Sequence, residues 1–393
     1  MSSQLFKRRQ FLQVGAAGFV LFAANNNRLL AKAAAPGSMD SLRSIGSLQA
    51  PDENGVMLPA GFQSRIVARS GEQPVTSSSY LWHDAPDGGA VFATDDGGWV
   101  YVSNSEVGGG KGGVGALRFN AAAELVDAYP ILAGTSVNCA GGGTPWQTWL
   151  SCEEFDAGQV FECDPLGNRE AMVRPALGRF KHEAVAVDPV NQILYLTEDT
   201  PDGAFYRFRP SQPLPDLSAG ILEVATMDAQ DGRLYLDWAP VPDPSAETTP
   251  TRYQVPDYVP FRGGEGLVYQ DGLVYFSTKG DNRVWCYDVA THQISVLYDF
   301  ATSANPILSG VDNLTITPAG EVLVAEDGGD MQIVILTPEF GVIPLLQIPG
   351  HERSEITGPA FDPSYRRLYF SSQRGSVGAS SGGITYEISL AGI

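Results

Sequence analysis

Six residues with metal-binding chemistry, Asp84, Cys139, Glu183, Glu265, Asp312 and Glu355, open six similar strand-like segments. Five are carboxylates and the sixth is a thiol. Gathered in one place, they would repel one another strongly unless protonated or neutralised by cations. Hard oxygen donors favour calcium or magnesium, and a thiolate among them extends the choice to a transition metal such as iron. The acidic residues that close the same segments, Glu106, Glu153, Glu154, Glu198, Asp199, Asp281, Glu326 and Asp327, would add to the set. Any one of these acids alone could be a turn cap or a solvated loop tip. Turn chemistry, however, does not require an acid at the same corner of every repeat. The cations near these positions are few. Lys279 and Arg374 end second strands, and Arg262 precedes Glu265. Each could hold an anionic substrate or pair with a carboxylate of the set.

Other chemistries find little support. No Ser/His/Asp arrangement emerges. His83 and His182 adjoin segment openers and suit packing or support of a ligand, whereas His292 and His351 fall in outer or connecting stretches. Gly108 to Gly113 and Gly141 to Gly143 are glycine-rich, but no helix of a βαβ unit follows either, so a nucleotide-binding fingerprint is not supported. Cys139, Cys152, Cys163 and Cys286 form no CxxC pair, which excludes a zinc finger. One disulfide could form in an oxidising compartment, and the sequence does not choose the pair.

The elements that must position the six openers show themselves as a repeat. The segments run from His83 to Glu106, Asn138 to Glu154, His182 to Asp199, Gly264 to Asp281, Asp312 to Asp327 and Glu355 to Arg374. In each, a polar residue starts a strand, a turn follows, and a second strand ends in a polar cluster. The equivalent positions Tyr101, Trp149, Tyr195, Tyr275, Leu323 and Tyr369 are spaced 48, 46, 80, 48 and 46 residues apart. The one long interval holds a loop rich in Pro and Asp from Pro210 to Pro260. Third strands follow at Gly115–Asn120, Gln159–Asp164, Phe205–Arg209, Val284–Val289, Gln332–Thr337 and Ile384–Ser389, and fourth strands usually follow these. The pattern predicts an all-β fold, a six-bladed β-propeller. Its last unit has no room for a fourth strand, so Phe62 to Arg69 is expected to complete it and close the ring, leaving no open sheet edges. The openers would then meet at one mouth of the channel.

The first 35 residues read as a targeting segment. Lys7, Arg8 and Arg9 precede an apolar stretch from Phe11 to Ala24, and Ala31-Lys32-Ala33 suits cleavage. Arg8-Arg9-Gln10-Phe11-Leu12 resembles the twin-arginine export motif, with Lys7 where Ser or Thr is usual and Gln13 where Lys is usual. The apolar run is shorter than the roughly 20 residues of a spanning helix, so no stable membrane insertion is expected. The expected organisation is a signal peptide at 1–35, a linker at 36–61 and the propeller at 62–393, in a periplasmic or extracellular protein that meets the twin-arginine export machinery. The full chain carries a formal charge of −20, and removing residues 1–35 takes away five bases and no acids. Nucleic acid is therefore not an expected partner.

The run Asn138-Cys139-Ala140-Gly141-Gly142-Gly143-Thr144-Pro145-Trp146-Gln147-Thr148-Trp149-Leu150-Ser151-Cys152-Glu153-Glu154 resembles the PhoX-type alkaline phosphatases. Lys181-His182-Glu183, Leu196-Thr197-Glu198-Asp199, Phe205-Tyr206-Arg207-Phe208, Gly264-Glu265-Gly266, Asp312-Asn313-Leu314 and Glu326-Asp327-Gly328 extend the resemblance over most of the chain after the signal. The resemblance implies a six-bladed propeller with iron (Fe3+) and calcium at one end of its channel, hydrolysing phosphomonoesters. It implies Cys139 as an iron ligand, with Glu183, Glu265, Glu355, Glu198, Asp199, Asp312 and Glu326 as metal ligands. The metals would supply the nucleophile and screen a small phosphorylated substrate. The chain is shorter than the well-known members, has Ser105 where His is common, and carries Arg262 at a spacing that does not match the family's substrate-binding arginine. Two other readings of the acidic ring are a calcium-dependent, lactonase-like hydrolase and a non-catalytic periplasmic propeller stiffened by calcium.

Overall fold

A computed structural model describes residues 38, 39, 41–339 and 341–390. The signal segment lies outside the described residues. Among the described residues no helix is long and apolar enough to cross a membrane.

The strands group into six antiparallel units, as the repeat predicts. Blade 1 is Pro86–Ala93, Trp99–Ser105, Gly112–Phe119 and Leu125–Thr135, and blade 2 is Asn138–Gly143, Trp149–Glu153, Val160–Cys163 and Met172–Val173. Blade 3 has five strands, His182–Asp188, Ile193–Glu198, Phe205–Pro210, Gly220–Gln230 and Arg233–Pro240. Blade 4 is Gly264–Gln270, Leu273–Thr278, Arg283–Asp288 and Gln293–Asp299, and blade 5 is Val311–Ile316, Val322–Glu326, Gln332–Leu336 and Val342–Gln347. Blade 6 combines Ile356–Phe361, Arg367–Ser372 and Ile384–Leu390 with Phe62–Arg69, which pairs antiparallel with Ile384–Leu390 in the register Phe62 to Leu390 through Arg69 to Ile384. The ring is closed as expected, by the strand nearest the start of the described chain.

The long interval between blades 3 and 4 differs from the loop expected over Pro210 to Pro260. It holds the last two strands of blade 3, and Leu234 and Tyr235 pair with Ile294 and Gln293 of blade 4. The two blades therefore share one continuous sheet. The alternation in Leu234-Tyr235-Leu236 is too brief to stand out beside the surrounding Asp and Pro. The segment before Phe62 packs rather than dangling. Met39, Leu42, Val56 and Leu58 are buried against blades 5 and 6, and Ser41 Oγ donates to Glu321 Oε1 at 2.7 Å.

The core lies between blades, in apolar clusters each shared by neighbouring sheets. The equivalent residues Tyr101, Trp149, Tyr195, Tyr275, Leu323 and Tyr369 are all buried on second strands. They pack the inner two strands of each blade and so set where the first strands can point their polar ends.

Candidate metal centre

One backbone irregularity places the ligands. In five blades the first strand and the second pair at one end, slip by a β-bulge, and resume. Pairing starts at Pro86 to Ser105, Asn138 to Glu153, His182 to Glu198, Gly264 to Thr278 and Val311 to Glu326, and resumes at Gly89, Gly141, Val185, Leu267 and Leu314. The residue that follows the starting pair is the first of the bulge, and it is Asp87, Cys139, Glu183, Glu265 or Asp312. A bulge re-aims a side chain out of the alternating pleat. Repeated in five blades, it sends four carboxylates and a thiol toward one axis. In blade 6 the slip comes after Thr357, and Glu355 reaches the centre from the residue before that strand.

The next residue in each bulge is small: Gly88, Ala140, Ala184, Gly266, Asn313 and, in blade 6, Gly358. These six line a small cavity on the axis. Neighbouring inner strands touch there. A Cβ on Gly88 would stand 2.5 Å from Ala140 Cα, and one on Gly266 would stand 2.5 Å from Leu314 N. Hydrogen bonds from one blade to the next then fix the bulges. Asn104 Nδ2 donates to Cys139 O at 2.9 Å and Ala140 O at 2.7 Å, Thr197 Oγ1 to Glu265 O at 2.6 Å, Ser277 Oγ to Asp312 O at 2.6 Å, and Thr357 Oγ1 to Pro86 O at 2.7 Å.

A second tier comes from the residue just past each second strand: Glu106, Glu154, Asp199, Lys279, Asp327 and Gln373. The two tiers form four triads whose ligand atoms all lie within 4.8 Å of one another: Glu106–Cys139–Glu154, Asp87–Glu106–Glu355, Glu183–Glu265–Asp312 and Asp312–Asp327–Glu355. Shared corners at Glu106, Glu355 and Asp312 join them. Cys139 Sγ lies 3.4 Å from Glu183 Oε1 and links the first triad to the third.

Three side-chain cations border this set. Lys279 Nζ is 3.1 Å from Glu265, 3.4 Å from Asp312 and 3.1 Å from Asp327. Arg374 pairs with Glu355 at 2.8 Å, and Lys181 with Glu154 at 3.0 Å and Asp199 at 3.7 Å. Gln373 Nε2 donates to Asp87 and, at 2.7 Å, to Glu106. The compensation is incomplete. Burial, with Asp199 close by, pushes the Glu154 carboxyl up to about 7. Burial also brings Asp312 up to about 6, outweighing the pull of Lys279. Asp87, Glu183, Glu265 and Glu355 are held well above the usual carboxylate range by burial first and then by neighbouring carboxylates, against the pull of Lys279 on Glu265 and of Arg374 on Glu355. The Cys139 thiol is raised by burial, then by Asp87 and Glu183.

The donors fit metal ions. Glu183 is fully buried, yet its Oε2 has no hydrogen-bond partner. Glu265 Oε1 is buried likewise, and Lys279 approaches it at a distance for an ion pair but without hydrogen-bond geometry. Buried carboxylate oxygens left unmatched cost free energy, and a cation between them removes that cost.

Of the residues singled out in the sequence, Cys139, Glu183, Glu265, Asp312 and Glu355 come together, with Lys279 and Arg374 beside them. Asp199 stands at the edge, against Lys181. Glu198 and Glu326 do not join the ring, which corrects their expected place among the ligands. They are the last residues of second strands, and side chains alternate along a strand, so they point away from the faces of Asp199 and Asp327. Glu198 accepts from Ala204 N, Tyr206 OH and Arg252 Nη1, and Glu326 from Ser309 N and Gln332 N. Asp84 is exposed, three residues ahead of the bulge acid Asp87. Arg262 is also exposed and forms no ion pair with the ring among the described residues; only its carbonyl serves there, accepting from Gly280 N at 2.9 Å. His182 is packed on Phe180 and donates from Nε2 to Gly178 O, so it supports the strand beside Glu183. The sequence reading missed Asp87, Lys181 and Gln373. Asp87-Gly88 repeats the acid-then-small pair of Glu183-Ala184 and Glu265-Gly266, a signal that aligning on the bulge would have found.

Comparison with known proteins agrees with this architecture. The family model of the alkaline phosphatase PhoX matches residues 103–159 and 155–258. No curated protein sequence matches significantly. The fold is similar to that of Pseudomonas fluorescens PhoX in complex with vanadate, a transition-state analogue, with a TM-score of 0.72 and 17% identity over 88% of this chain and 98% of that one. It is also similar, with a TM-score of 0.53 and 11% identity over 89% of this chain and 99% of the other, to a gluconolactonase from Xanthomonas campestris. Over the matched residues the sequence resembles the PhoX alkaline phosphatases, and the fold is similar to that of PhoX.

Proposed function

We propose that the chain is a metal-dependent phosphomonoesterase that works on small phosphorylated substrates at the carboxylate mouth of the propeller, after export by the twin-arginine route to the periplasm or beyond. The observation that carries this reading is the chain of four overlapping ligand triads, with a thiol in one and two unmatched buried oxygens in another. Cys139 with Glu106, Glu154 and Glu183 offers a mixed thiolate and oxygen set suited to iron. The all-oxygen triad Asp87–Glu106–Glu355 suits calcium. Bound ions would supply Lewis acidity and a nucleophile at neutral pH.

The residues of the chain do the rest. The bulge tier is held by hydrogen bonds between blades, so its donor atoms are fixed before any substrate arrives. The mouth is more open: the side chains of Lys279 in the second tier and of Arg374 beside it keep 32% and 34% exposure, enough to present N–H donors to phosphate oxygens. The close approach of Gly88 to Ala140 and of Gly266 to Leu314 narrows the channel beneath.

Protein purified from the exported fraction without chelators tests this reading. It should contain iron and calcium, hydrolyse p-nitrophenyl phosphate, and lose both properties in the Cys139→Ser variant. Absence of metal and of phosphatase activity in export-loaded protein contradicts it. Calcium alone, with Cys139→Ser fully active, would instead favour the lactonase-like reading.

A further inference from the structure

The second tier carries an acid in blades 1, 2, 3 and 5: Glu106, Glu154, Asp199 and Asp327. In blade 4 the same position is Lys279. The short turn Lys279–Asp281 holds it in place, with Lys279 N donating to Gly263 O at 2.8 Å and Gly280 N donating to Arg262 O at 2.9 Å. From there the ammonium enters the ring. Its nitrogen stands 3.1 Å from Glu265 Oε1, 3.4 Å from Asp312 Oδ2 and 3.1 Å from Asp327 Oδ2. Glu265 belongs to one triad, Asp327 to another, and Asp312 to both. The ammonium thus lies where the two triads meet, with three oxygens around it at distances a hydrated cation would also accept.

We infer that the Lys279 ammonium is a tethered cation that takes the place of one metal ion between blades 4 and 5, so that the ions of this chain gather on the Cys139 side. The inference rests on the reading of the ring as a metal centre. An ammonium and a metal ion cannot share the same three oxygens. The side chain brings one positive charge, loses no water-bound partner to chelators, and leaves Glu265 Oε1, which is buried and outside hydrogen-bond geometry, as the oxygen most ready to take a metal if the lysine is removed. On the Cys139 side each cation reaches a single acid of the triad: Lys181 pairs with Glu154 at 3.0 Å, and Arg374 Nη2 lies 3.9 Å from Glu106.

The test is the metal content per chain of wild-type, Lys279→Gln, Lys279→Arg and Asp327→Asn proteins, purified identically in excess calcium and measured by elemental analysis, with calcium-dependent Tm as a second readout. The inference predicts that Lys279→Gln holds one more calcium than wild type and gains a calcium-dependent rise in Tm, while Lys279→Arg matches wild type. Asp327→Asn, which relieves repulsion and should fold readily, keeps the wild-type metal content, because its partner is the ammonium. Equal content in Lys279→Gln and wild type overturns the inference, as does loss of an ion from Asp327→Asn. A wild type with no metal whose Lys279→Gln variant gains calcium would uphold the tethered cation and sink the phosphatase reading, so the two failures are distinguishable.

Discussion

At the scale of single residues, the centre is a contest between burial and charge. Glu154 illustrates the sign. Its carboxyl is held near 7 in the folded chain, against an ordinary value of 4.5. Between those values the folded chain holds more protons than the unfolded one, so stability falls as pH rises through that window. Asp87, Glu183, Glu265 and Glu355 are shifted in the same direction. Metal-free protein is therefore expected to melt at a lower temperature at about pH 8 than at about pH 5, and metal should abolish the difference. Thermal melts of stripped and loaded protein check this, and a stripped protein whose Tm rises over the same range contradicts it. Glu198 makes the opposite case, an acid whose charge is spent on structure. Its pairing with Arg252 is 2.7 Å long and its side chain is fully buried. Glu198→Gln should cost about 3 kcal/mol in denaturant unfolding, the order expected when one partner of a buried pair is removed. Its metal content should stay at the wild-type value, and a lost ion would show that Glu198 is a ligand after all.

At the scale of elements, the inner strands work because each bulge couples a ligand turned toward the axis to a small neighbour. Gly88 sits where any side chain would meet the backbone of Ala140. Gly88→Ala should therefore destabilise the protein by about 1–3 kcal/mol, since backbone has to move to admit the methyl group. Metal affinity should fall with it, because Asp87 shares the bulge. Equilibrium unfolding and calcium titration measure the two effects, and an unchanged Tm would mean that the inner strands are less tightly set than described. The bulges also explain which parts of the site could be read from sequence. The acid-then-small pairs Glu183-Ala184, Glu265-Gly266 and Asp312-Asn313 stand out, and Cys139-Ala140 occupies the same place. Asp87 was displaced in the reading by Asp84, because His83-Asp84 imitates His182-Glu183 while the strand begins only at Pro86. Glu198 and Glu326 were legible as strand ends, but a one-residue uncertainty in where a strand stops reverses the face, and with it the role. Lys279 could be seen, but like Lys181 it also pairs with acids on a neighbouring blade, which no local spacing reveals.

At the scale of the whole molecule, the 48- and 46-residue spacing and the large apolar residue at each repeat, aromatic in five of six, made the propeller legible, because closure needs units of similar size. The fifth strand of blade 3 was not legible, since its partner in blade 4 lies more than fifty residues away and its own apolar run is short. Closure has a consequence that can be measured. Phe62–Arg69 covers the edge of Ile384–Leu390 along its whole length. A chain truncated through Arg69 should expose that edge and aggregate during refolding. Light scattering would show this, and a soluble, monomeric truncation would mean that the ring does not depend on the strand.

All of these expectations rest on the six inner strands delivering their ligands to one shared cation site. The most direct measurement is anomalous X-ray diffraction from crystals of unstripped protein. The account predicts metal peaks inside the ring, one bonded to Cys139 Sγ and others among Asp87, Glu106, Glu183 and Glu355. A ring holding only water and protonated carboxyls, with no anomalous peak near Cys139, would contradict it.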